Sequence, residues 1–110
     1  MSTCATYRFV DSNVTYYIHY DGYLEGAAIY FSKIVDDPIE KWSENFGKKN
    51  DTAEMTADHS AHDNTEYRYD IYTDGTVIVQ CVHYDNFERL IWESVYCGSL
   101  KDFVDTYLYR

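Results

Sequence analysis

Tyr7 and Phe9 alternate with Thr6 and Arg8, which predicts a strand over residues 3–10. The turn-forming run Asp11-Ser12-Asn13 follows. Val14, Tyr16, Ile18 and Tyr20 then share one face of a second strand. So short a connection predicts an antiparallel hairpin. Asp21-Gly22 breaks the period of two. Leu24, Ala27, Ala28, Phe31, Ile34 and Val35 change to the spacing of an amphipathic helix, and small residues at 26–28 suit close approach to a sheet. Ile39, Trp42 and Phe46 predict a short second helix after Pro38, with Gly47 as its stop.

Residues 48–64 are polar and weakly periodic, with a helical turn expected over 52–57. A loop of that length inside a small domain is often functional. Tyr67, Tyr69 and Ile71 alternate with Arg68, Asp70 and Tyr72, giving a third strand. Asp74-Gly75 is a two-residue hairpin signal. The fourth strand, residues 76–84, holds the apolar run Val77, Ile78, Val79, Cys81 and Val82, and is expected to be central and covered on both faces. A fifth strand is expected over 90–96. Ser99, three residues before Asp102, is positioned to cap a final helix built on Leu100, Phe103, Val104 and Tyr107. The prediction is a single α+β domain over residues 1–110. Its antiparallel sheet of four to five strands, in the order ββα(α)ββ(β)α, carries helices on one face.

Composition narrows the class. The chain is 45% hydrophobic and 18% aromatic, with thirteen tyrosines, which is too apolar for a disordered segment. Cys4, Cys81 and Cys97 are odd in number and lack a CxxC spacing, so reduced thiols in a cytoplasm are expected. No leader peptide is expected from Met-Ser-Thr-Cys, and no apolar run is long enough for a membrane-spanning helix.

The net charge of −10 disfavours nucleic acid and anionic lipid as direct partners and favours a basic protein surface. Residues 51–74 concentrate that charge, with seven acids against Arg68 alone. Acids two apart on a strand lie about 6.6–7 Å from each other, and acids four apart on a helix about 5–6 Å. Both distances resemble the spacing of phosphates on a nucleic-acid strand. The expected partner-binding residues are therefore Glu66, Asp70 and Asp74 along the third strand and Asp36, Asp37, Glu40 and Glu44 along the second helix, with Tyr69 and Tyr72 as anchors. A solvated acidic surface is the simpler explanation of such charge.

Two His-x-Asp turns echo one another, His19-Tyr20-Asp21 and His83-Tyr84-Asp85. They define an alternative enzyme site if the turns converge. His59 and His62 are spaced to share a helix face, but two histidines on a polar loop fall short of a zinc site. Neither a metal nor a cofactor is expected, and no nucleotide-binding or hydrolase motif is present.

The run His19-Tyr20-Asp21-Gly22-Tyr23-Leu24-Glu25-Gly26 resembles a His-aromatic-Asp-Gly-Tyr-x-Glu motif of small phage and prophage proteins, departing at Leu24, where proline is common. The resemblance implies a mobile-element origin and a bacterial host cytoplasm. By class-level analogy with small acidic phage proteins such as anti-CRISPR inhibitors, it also implies a non-enzymatic inhibitor that blocks nucleic-acid access in a host defence complex. An immunity protein against a basic nuclease toxin, and a homodimer formed through tyrosine-rich strands, are the other binding readings.

Overall fold

A computed structural model of the protein describes residues 3–108. Strands β1 (Cys4–Phe9) and β2 (Val14–Ile18) precede helices α1 (Leu24–Ser32) and α2 (Trp42–Lys49). Strands β3 (Glu54–Thr56), β4 (Thr65–Ile71), β5 (Thr76–Tyr84) and β6 (Leu90–Ser99) follow, and helix α3 (Leu100–Leu108) ends the described chain. The class is α+β, as expected.

The sheet differs from the expectation. It has six strands in the order β3-β2-β1-β4-β5-β6 and is mixed. β1 pairs antiparallel with β2 and parallel with β4, with Tyr7 beside Tyr69 and Phe9 beside Ile71. The two helices between β2 and β4 supply the long crossover that a parallel pair requires. The segment expected to form a helical turn is instead the short edge strand β3, paired with β2 at Tyr16 and Met55.

All three helices pack on one face of this sheet. Ala5, Tyr7, Phe9, Tyr16, Ile18, Tyr69, Ile71, Val77 and Val79 meet Ala27, Ala28, Phe31, Phe46, Leu100 and Phe103 in one cluster. Tyr7 and Tyr69 stack at 4.7 Å with their planes 8° apart, and Phe31 meets both rings edge-on. Gly47 does not stop α2. It lies inside the helix, at a position where a Cβ would come within 2.7 Å of the Tyr16 hydroxyl, so the close approach rather than chain termination accounts for the glycine. The helix ends at Asn50, whose amide donates to the Phe46 carbonyl. The Ser99 hydroxyl accepts the Asp102 N–H at 3.0 Å, so the predicted cap of α3 is formed.

β5 is not covered on both faces. Val77 and Val79 are fully buried, but Ile78, Cys81 and Val82 are only half-buried, and the β5–β6 hairpin extends past the helices. Coverage on both faces belongs to β1. Its outward Thr6 is 0% exposed because the short helical turn at His59–Ala61 folds back over the sheet.

Candidate functional site

The His19–Gly26 motif builds a corner. Asp21 turns the chain at φ 57°, a left-handed conformation that Asp tolerates better than most residues. The Gly22 N–H donates to the Thr3 carbonyl at 2.8 Å, and the Gly22 carbonyl accepts the Tyr69 hydroxyl at 2.6 Å. A Cβ on Gly26 would lie 2.1 Å from the Asp21 carbonyl oxygen. His19 faces Glu54 at 3.5 Å. In the second echo, the Asp85 carboxylate accepts the N–H groups of Phe87 and Arg89 and pairs with the Arg89 side chain. Those bonds, the Arg89 N–H first, hold its carboxyl below the usual range. His83 faces Glu93 at 3.4 Å. β2 and β5 lie three strand spacings apart, about 14 Å. The two turns are not brought together.

Residues 57–64 form a cover on the open face of the sheet. Asp58 caps the turn by accepting from the N–H and hydroxyl of Ser60. His59 bridges two strands, with Nδ1 2.5 Å from Thr6 Oγ1 and Nε2 2.8 Å from Asp70 Oδ1. The His62 ring stacks on Tyr17 at 3.7 Å and 5°, and its Nε2 meets Thr56 Oγ1 at 3.1 Å. Each imidazole is thus held by other parts of the sheet rather than shared with the other. Among the described residues, no group of three His, Cys, Asp or Glu side chains is placed to hold a metal ion.

The predicted acidic residues separate. Glu66, Arg68 and Asp70 do face the same side of β4, but Arg68 stands between the two acids. Asp70 is occupied by His59. Asp74 lies in the turn beyond Ile71, itself about 17 Å along the strand from Glu66, and accepts the Thr76 N–H. Tyr69 is 0% exposed and belongs to the core; as an anchor at the surface it is ruled out by position. Tyr72 is half-buried beside Ile39 and Trp42. Of Asp36, Asp37, Glu40 and Glu44, only Glu44 lies in α2, because the chain from Asp36 to Lys41 runs through turns. Lys48 pairs with Glu44 at 2.9 Å and Lys49 with Asp37 at 2.8 Å, and each lysine holds its partner's carboxyl below the usual range. Asp36 and Glu40 remain exposed.

A concavity of about 660 Å³ opens between the 60–66 segment and the β5–β6 hairpin. Val82, Tyr84, Leu90 and Trp92 give it an apolar wall, and Asp63, Glu66 and Glu88 contribute carboxylates. These three acids form no salt bridge among the described residues. The Arg68 guanidinium reaches across β5 and lies 3.9 Å above the Trp92 ring. The adjoining arm exposes Tyr84 (69%) and Phe87 (79%), an unusual display of aromatic surface. The sequence offered two signals for this site: Arg68 is the sole base in 51–74, and Leu90 and Trp92 alternate along one strand.

No helix among the described residues is long and apolar enough to cross a membrane. In comparisons with known proteins, no family model, curated protein or solved structure matches the chain.

Proposed function

We propose that the chain is an inhibitory binding protein whose acidic concave face engages a basic surface of a macromolecular partner. One observation carries this reading: Asp63, Glu66 and Glu88, without salt bridges among the described residues, border a single concavity flanked by exposed Tyr84 and Phe87. Carboxylates free of internal lysines keep their field for a partner. By contrast, Glu44 of α2 is matched by Lys48, and Asp37, before that helix, by Lys49. Solvent-exposed aromatics beside them supply apolar contact area at low conformational cost. The binding surface is therefore centred on Glu66 rather than on the whole third strand, and Tyr84 and Phe87 take the anchoring role first assigned to Tyr69.

The resemblance of His19–Gly26 to phage and prophage proteins points to a bacterial host protein as the partner. The charge points to the lysine- and arginine-lined groove of a nucleic-acid-binding component of a defence complex. Occupying such a groove would exclude nucleic acid, and association would be fast and salt-sensitive.

The test is capture from bacterial lysate by wild-type protein and by the D63K/E66K/E88K variant, with mass spectrometry at low and high salt. A basic nucleic-acid-binding protein that is retained only by wild type, and released by salt or by duplex DNA, is expected. Identical captures by both proteins would remove this face from the reading.

A further inference from the structure

Arg68 is anomalous in so acidic a chain. Nineteen carboxylates are available, yet none forms a salt bridge with it among the described residues, and its buried Nε has no hydrogen-bond partner. Of the two acids that flank it on its own strand face, Asp70 is engaged by His59 and Glu66 forms no salt bridge among the described residues. Burial pulls the guanidinium below its ordinary pKa, with Asp70 and Asp58 opposing. Arg68 also lines the concavity, so an anion entering there would meet a guanidinium that no carboxylate among the described residues pairs with in a salt bridge. Trp92 fixes the planar group so that its fork is preorganised.

We propose that Arg68 is the receptor for the terminal carboxylate of a peptide chain whose last side chain is apolar and whose preceding residues are basic. This rests on the binding function proposed above and specifies what enters the concavity. A planar, singly charged carboxylate matches the guanidinium fork, whereas a phosphate dianion would be repelled by Asp63, Glu66 and Glu88. A chain end carries its carboxylate and its side chain on one Cα. That arrangement fits Arg68 set directly beside the wall of Val82, Tyr84 and Leu90. Residues preceding the chain end then pass the carboxylate rim, where lysine or arginine is complementary. The volume is that of an ordinary small-ligand site.

The experiment compares acetylated Lys-Lys-Ser-Leu-Phe as the free acid and as the C-terminal amide. Binding is followed by calorimetry and by Trp92 fluorescence, with inorganic phosphate as competitor. The free acid is expected to bind about tenfold more tightly than the amide, since the fork's charge-assisted bonds are lost with the carboxylate. Arg68→Gln should erase that difference and Arg68→Lys should restore part of it. Equal affinity for acid and amide on the wild-type protein, which requires no variant to fold, overturns the receptor. So does phosphate competing as well as the free acid, or binding of neither peptide. If both peptides bind equally and D63N/E66Q weakens both, the receptor fails while the acidic-face reading stands. If the free acid binds through Arg68 but D63N/E66Q changes nothing, the acidic-face reading is the one that fails.

Discussion

The hydroxyl of Tyr69, at the centre of the sheet, donates to the carbonyl of Gly22 at 2.6 Å, tying the strand core to the corner that launches α1. Tyr69→Phe keeps the stacked ring against Tyr7 but leaves a buried carbonyl without a partner. The expected cost is about 1–3 kcal/mol, read as a lower urea midpoint with an unchanged slope. An unaltered midpoint would show that water replaces the hydroxyl.

Gly26 sets two effects against each other. Alanine in place of glycine favours a helix by roughly 1 kcal/mol. Here its Cβ would lie 2.1 Å from the backbone oxygen of Asp21, which no side-chain motion relieves. Overpacking of this kind costs about 1–3 kcal/mol, so Gly26→Ala should lower the melting temperature. A rise would mean that the corner relaxes freely.

His59 holds the 57–64 cover to the sheet through Thr6 and Asp70. His59→Ala should lower stability by about 1–3 kcal/mol and speed amide exchange across 57–64, leaving the Tyr7–Tyr69 core protected. Uniform acceleration through β1 and β4 would instead make the cover part of the cooperative core.

Alkaline pH should destabilise the protein. Burial pushes the phenols of Tyr7 and Tyr69 well above their ordinary value, and burial, aided by Cys81, raises Tyr67 to about 12. Tyrosines of an unfolded chain ionise near pH 10, roughly. Between that value and the folded ones, the native state binds more protons, so stability falls as pH rises. The contribution is fully present below about pH 10 and is lost toward the folded values. Urea midpoints should drop through this window, with part of the tyrosinate absorbance appearing only on unfolding. A flat midpoint alongside full native titration would contradict the assignment.

Local pattern carried much of this architecture. Alternation located β1, β2 and β4, a continuous apolar run after Asp74-Gly75 located β5, and helical spacing located all three helices, because those signals depend on neighbours in sequence. The parallel pairing of β1 with β4 and the addition of β3 at the edge depend on residues about forty to sixty positions apart, which no local period encodes. The alternation of Tyr67, Tyr69 and Ile71 against Arg68 and Asp70 already placed Tyr69 on the apolar side, so its burial was legible. The engagement of Asp70 by His59 was not, since it joins a strand to a loop with no pattern of its own. Arg68 stood out by charge, but that it forms no salt bridge among the described residues is a property of the folded surface.

The parallel contact between β1 and β4 also orders events in time. β1 lies mid-sheet, yet one of its two neighbours is made about sixty residues later. A nascent chain that has emerged only as far as α2 holds the first hairpin with one side of β1 open and Tyr7 without its stacking ring. Contacts of such long range slow folding, and an open strand edge in an incomplete chain invites wrong pairing. The same crossover that completes the native sheet thus leaves its innermost strand the longest unprotected during synthesis.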